Sequence, residues 1–144
     1  MTFLNYVFSP NFKKYEGVRP IHIYLLRILY FLMLAVMSVD AWKMIFTHDG
    51  QLEKFRAVAI CVWAAYGTLG LFGLFKPLKW LPIVLFMIFY KTLWLIVVSL
   101  PLWRANQLEG SSAEEMTYIF IAAPFMLLVI PWKYFYKNYL FWSE

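Results

Sequence analysis

The chain has 144 residues, 63% of them hydrophobic and 22% aromatic, and a mean hydropathy of +0.66. Soluble domains run near about 45–50% apolar, so an ordinary water-soluble fold is excluded and lipid is the place for the excess. Thirteen Lys and Arg against eight Asp and Glu leave a net charge of +5. The basic residues stand mainly at the edges of apolar segments, where they meet anionic headgroups. No basic face is free of those segments, which excludes nucleic acid as a partner.

Residues 1–19 mix aromatics with Lys13, Lys14 and Arg19. This composition predicts an interfacial segment, with rings at headgroup level and cations in water. Pro20 suits a helix start, because its missing N–H is not needed in the first turn. A first membrane span is predicted over 21–46. It is too long for the core of a cleavable signal and lacks the small-residue cleavage site, so it is expected to remain as a span. Asp49-Gly50 then marks a turn.

The second span is predicted over 55–75. Gly67, Gly70 and Gly73 recur every third residue, which lines small residues along one side of a helix and lets another backbone come close. Close packing inside the fold and self-association are both open readings of that stripe. The lone Cys61 reads as an inert small core residue, with no partner for a disulfide.

KPLKWLP is a tight basic turn bracketed by Pro77 and Pro82. The third span is predicted over 81–103. The polar stretch RANQLEGSSAEE follows, and Ser112 with Glu115 forms an S-x-x-E capping pattern. The fourth span is predicted over 113–130. Pro124 predicts a kink there, with the carbonyl four residues earlier losing its partner. The tail, 131–144, alternates aromatics with Lys133 and Lys137 and reads as a second interfacial segment.

The expected architecture is therefore an all-α membrane protein: a single four-helix transmembrane bundle with short loops. Lys13, Lys14, Arg19, Lys76, Lys79, Lys133 and Lys137 fall on one side, and Lys54, Arg56 and Arg104 on the other. That bias puts the N and C termini in the cytoplasm.

Charges inside the spans are the candidates for chemistry, since a charge at mid-bilayer costs roughly 2.5–3.5 kcal/mol on insertion scales. Lys91, in the middle of the third span, is the sharpest. Such a lysine acts as a counter-ion, a proton carrier or an anchor for an anionic ligand; the plain alternative is a structural lysine bonded to a carboxylate and carbonyls. Asp40 pairs either with Lys43, three residues on, or with Lys91 across the bundle. Tyr66 and Tyr90 add hydroxyls to a polar centre, whose cargo would be an ion or a lipophilic small molecule. His22 and Arg27, toward the cytoplasmic end of the first span, suit a phosphate or quinone headgroup. Met33, Met37 and Met44 read as packing or as a copper(I) path. Glu114 or Glu115, turned toward His48 and Asp49, would make an outer metal or proton site. The two histidines fall on opposite membrane sides, which argues against a bis-His haem. No zinc, nucleotide or nucleophile-elbow motif is present, so no standard soluble enzyme class fits.

The blocks LLRILYFLMLAVMSVDAWKMI, EKFRAVAICVWAAYGTLGLFGLF and KPLKW together resemble the DoxX-like group of small bacterial four-helix membrane proteins. The resemblance is one of hydropathy and helix order over the first two-thirds of the chain. It implies a bacterial inner-membrane location and a quinone-linked or redox-associated membrane subunit or assembly factor, and it carries over no catalytic residue. A homo-oligomer or a larger membrane complex is expected on either reading.

Overall fold

The computed structural model describes residues 3–141, and the side chains of residues 6–141. The outermost residues of the two predicted interfacial ends, 1–2 and 142–144, lie outside the described residues. Among the described residues there is no strand. Three helical stretches, Phe12–Thr47, Lys54–Phe75 and Leu81–Arg104, are long and apolar enough to cross a membrane. A fourth qualifies if Glu114–Val129 and Trp132–Leu140 are taken as one span. Their outer faces carry large exposed apolar side chains, among them Phe31, Phe72, Phe89 and Phe125. Such surfaces are compatible with an integral membrane protein, because water penalises them and lipid does not.

The chain forms two units, one of Met1–Ile83 with Pro131–Glu144 and one of Val84–Ile130. The first opens with two short helices, α1 (Phe3–Phe8) and α2 (Phe12–Tyr15). Asn11 caps α2 by accepting from the Lys14 N–H at 3.0 Å. Phe8 and Phe12 are exposed. Pro20 is the first residue of α3 (Pro20–Leu32). The helix continues through a π-helical stretch, Met33–Ser38, into α4 (Val39–Thr47).

The second long helix, α5 (Lys54–Phe75), starts where Glu53 accepts from the N–H groups of Phe55 (3.0 Å) and Arg56 (2.8 Å). Those two donors hold the Glu53 carboxyl below the usual carboxylate range. The glycine stripe of α5 faces the first long helix. A Cβ on Gly67 would lie 2.8 Å from the Ser38 Cβ and 3.1 Å from the Met33 carbonyl. A Cβ on Gly73 would overlap the Tyr30 ring. The stripe is thus filled from within the chain, and the π-helical stretch lies at the point of closest approach. Three polar groups close that contact. Ser38 and Thr68 share a 3.0 Å hydrogen bond, the Trp42 indole N–H donates to Thr68 Oγ1 at 2.9 Å, and Thr68 donates to the Ala64 carbonyl at 2.7 Å. Cys61 is exposed rather than in the core. A short apolar run does not reveal which side of its helix a small residue occupies.

The turn after α5 is tied by two tyrosines. The buried Tyr30 hydroxyl donates to the Pro77 carbonyl at 2.9 Å, and Tyr139 donates to the carbonyls of Leu78 (2.7 Å) and Lys79 (3.0 Å). Trp80 stacks on Phe72 at 5.1 Å. Tyr139 lies on the tail, which consists of α9 (Trp132–Phe135) and a π-helical turn, Tyr136–Leu140.

The helix α6 (Leu81–Trp94), all but its first three residues in the second unit, runs through a π-helical stretch, Leu95–Ser99, into α7 (Leu100–Arg104). The wider turns lie where the Pro101 ring must clear the Val97 carbonyl, four residues back. The predicted capping box does not form. The helix α8 (Glu114–Phe120) begins with Ala113 as its N-cap and no side-chain cap. Ser111 Oγ instead accepts from the Ala113 N–H at 3.3 Å, and Glu114 reaches back to the Gly110 N–H at 2.7 Å. Pro124 does more than kink the helix. The α-helical pattern stops at Phe120, and a 3-10 stretch, Pro124–Val129, follows. The Phe120 carbonyl keeps a partner, the Ala123 N–H at 2.8 Å.

Candidate functional site

Lys91 lies ten residues into a helical stretch that runs from Leu81 to Arg104. At 1.5 Å of rise per residue, either end is about 15–20 Å away along the axis, beyond the reach of a lysine side chain. The residue is 6% exposed, and its ammonium sits 5.0 Å from the centre of the Phe120 ring. No carboxylate lies within ion-pair distance of it among the described residues. A ring face is a weak partner for a cation, worth about 0.5–2 kcal/mol. It offsets only part of the cost of burying the charge. Tyr90 and Trp94 also pack edge-on against Phe120, at 5.8 and 5.3 Å. The lysine, two turns of α6 and one ring of α8 therefore make a tight aromatic cluster. The neighbouring Thr92 hydroxyl is buried without a hydrogen-bond partner among the described residues.

Farther along the same helix a cleft opens in the second unit, with a volume of about 580 Å³. Leu95 and Leu100 from the third long helix and Ile121 from the end of α8 give it apolar walls. Trp103 and Tyr118 also line it. The buried hydroxyls of Ser99 and Thr117 form part of the lining, joined to each other at 2.8 Å, and Thr117 also bonds the Ala113 carbonyl at 2.7 Å. Asn106, Glu109 and Glu114 supply its polar end. Sites for small molecules have this make-up, mostly apolar with a few fixed polar groups, and volumes of about 300–1,000 Å³. The π-helical stretch Leu95–Ser99 carries two of the lining residues, Leu95 and Ser99. Such stretches recur at functional positions because they re-aim side chains away from the regular helical spacing.

Most of the other candidates from the sequence belong to the first unit. Asp40 and Lys43 come together, with 3.9 Å between carboxylate and ammonium, on an exposed face of α4. Tyr66 is buried and donates to the Met37 sulfur at 3.0 Å. Both residues belong to the first unit, whereas Lys91 and Tyr90 belong to the second. His22 is half-buried and Arg27 exposed. Five helical residues separate them, which is about 140° around the axis, so the two side chains leave different faces of α3. The methionines divide as well: Met33 is buried, Met37 is the sulfur acceptor for Tyr66, and Met44 is exposed. Glu114 is engaged with its own loop, and no group of three or more His, Cys, Asp or Glu side chains able to hold a metal assembles among the described residues.

Sequence reasoning places Lys91 but not the cleft. Asn106 and Glu109 read as ordinary loop residues, and Tyr118 as one of several hydroxyls inside the spans. The signal that does exist is the pairing of Ser99 with Thr117, two small hydroxyls embedded in apolar runs. When compared with protein-family models, curated proteins and solved structures, the chain matches none of them.

Proposed function

We propose that this chain is a small integral membrane protein, a four-span bundle with both termini in the cytoplasm, that binds an organic molecule of mixed polarity in the cleft of its second unit. The observation that carries this reading is the cleft itself. Its apolar walls suit a molecule that arrives through lipid, and its hydroxyls and carboxylates would fix one polar end. Lys91, in the same unit, adds a buried positive charge that shapes the field felt by whatever enters. Nothing in this arrangement calls for bond-making chemistry, so the activity proposed is binding or passage, not catalysis.

Native mass spectrometry of the protein, released from its own membrane in mild detergent, tests the reading. Ile121 lines the cleft and is exposed, so Ile121→Trp fills the space without disturbing a buried contact. A defined small-molecule adduct on the wild type, lost in Ile121→Trp, is the expected result. An adduct with the mass of a quinone would join this reading to the DoxX-like resemblance and its redox partners. A bare protein in both samples, or an adduct that survives the tryptophan, overturns the cleft as the binding site.

A further inference from the structure

Resting on the reading of the cleft as a ligand site, we infer that its ligand is a lipophilic organic cation, such as a quaternary ammonium or phosphonium ion or a protonated amine with a large apolar body. The charge balance of the lining carries this. Glu109 and Glu114 are both on the cleft, and no lysine or arginine is. Glu114 is held toward the loop by the Gly110 N–H at 2.7 Å, which fixes one of the two carboxylates. Trp103 and Tyr118, both exposed, line the same space, and aromatic rings attract cations through their quadrupole. Recognition of bulky organic cations needs this combination of carboxylate and aromatic faces with apolar walls.

The alternatives fit less well. A metal ion needs a closed set of oxygen, nitrogen or sulfur ligands, and no such set assembles among the described residues. An anion would meet two carboxylates at the polar end. A neutral molecule would leave them unpaired when it displaced water from them. Lys91, deeper along the same helix, repels a cation, so the charged part of the ligand rests at the carboxylate end.

The test uses two ions of nearly the same size and shape and opposite charge, tetraphenylphosphonium and tetraphenylborate. Each is titrated calorimetrically into the full chain in a sugar-headed detergent, which supplies no ionic headgroup, with protein-free micelles as the blank. The cation is expected to bind saturably at one site per chain. Replacing both carboxylates, Glu109→Gln with Glu114→Gln, should weaken it by about tenfold, since two ion pairs at a partly exposed site at up to about 1 kcal/mol each approach the roughly 1.4 kcal/mol that tenfold requires. Glu109→Gln alone, in an exposed loop, should show part of that loss and guards against misfolding of the double variant. Glu115→Gln, whose side chain is exposed and outside the cleft, should bind as the wild type does. Equal binding of the cation by the wild type and the double variant overturns the inference. So does binding of the borate alone, although that result leaves the cleft standing as a ligand site. If neither ion binds but the native protein carries an adduct that Ile121→Trp removes, the cation class is wrong and the site is right. If neither ion binds and no such adduct exists, both fail.

Discussion

An ammonium group ten residues from the nearer end of its helix, resting on one phenylalanine ring, is costly to keep. Methionine at position 91 would fill much the same volume and remove the charge. The insertion cost relieved is roughly 2.5–3.5 kcal/mol, against a cation–π contact of about 0.5–2 kcal/mol. Lys91→Met is therefore expected to hold or raise the thermal unfolding temperature in detergent. Its effect on the cleft should follow the sign of the ligand, with affinity rising for a cation and falling for an anion. A melting temperature well below the wild type, with ligand affinity unchanged, would make Lys91 a packing residue instead. This one residue was legible from sequence, because a charge inside a long apolar run stands out whatever the helix rotation. Its partner was not. Asp40 could be matched with Lys43 from spacing alone, whereas Phe120 is one of fourteen phenylalanines, and only packing selects it.

Among the elements, the contact between the first long helix and α5 rests on residues too small to hold the two helices apart. Gly73 has no room for a methyl group, because the Tyr30 ring lies against it and the Tyr30 hydroxyl is anchored on the Pro77 carbonyl. The ring cannot swing aside without losing that bond. Gly73→Ala is expected to destabilise the protein by about 1–3 kcal/mol, as overpacking of a filled interior does. A thermal melt of Gly73→Ala beside Gly70→Ala measures this. Gly70 is the gentler case, with its nearest contact at 3.3 Å, and the larger loss should fall on Gly73. The periodicity of the three glycines announced a close approach, and hydropathy announced the helices. The identity of the approaching helix, the π-helical turns at Met33–Ser38 and Leu95–Ser99, and the full break at Pro124 were not legible. Each depends on how a helix relieves a local clash. The cleft was hidden for the same reason, since Leu95 and Ser99 reach it by way of such a turn.

For the whole molecule, the placement of the basic residues predicts a topology that can be measured. Cys61 is the only cysteine, so Cys61→Ser gives a background in which single new cysteines report their side of the membrane. Glu109→Cys should react with a membrane-impermeant maleimide in intact cells. Lys137→Cys should react only after the membrane is opened. Labelling of both positions from outside would discard the proposed orientation. The same bias of lysines and arginines that predicts this result was read from the sequence in full, because it depends on residue order and not on packing.

The two tyrosine hydroxyls on the turn after α5 also set an order of events in time. Tyr30 is made 47 residues before its acceptor at Pro77, and Tyr139 is made 61 residues after its acceptor at Leu78. As the chain leaves the ribosome, the first bond can close as soon as the turn emerges. The second must wait through the synthesis of everything from α6 to the tail. During that interval the Leu78 and Lys79 carbonyls lack the Tyr139 hydroxyl. The turn is therefore half-fastened until residue 139 has been made, and Tyr139 completes it.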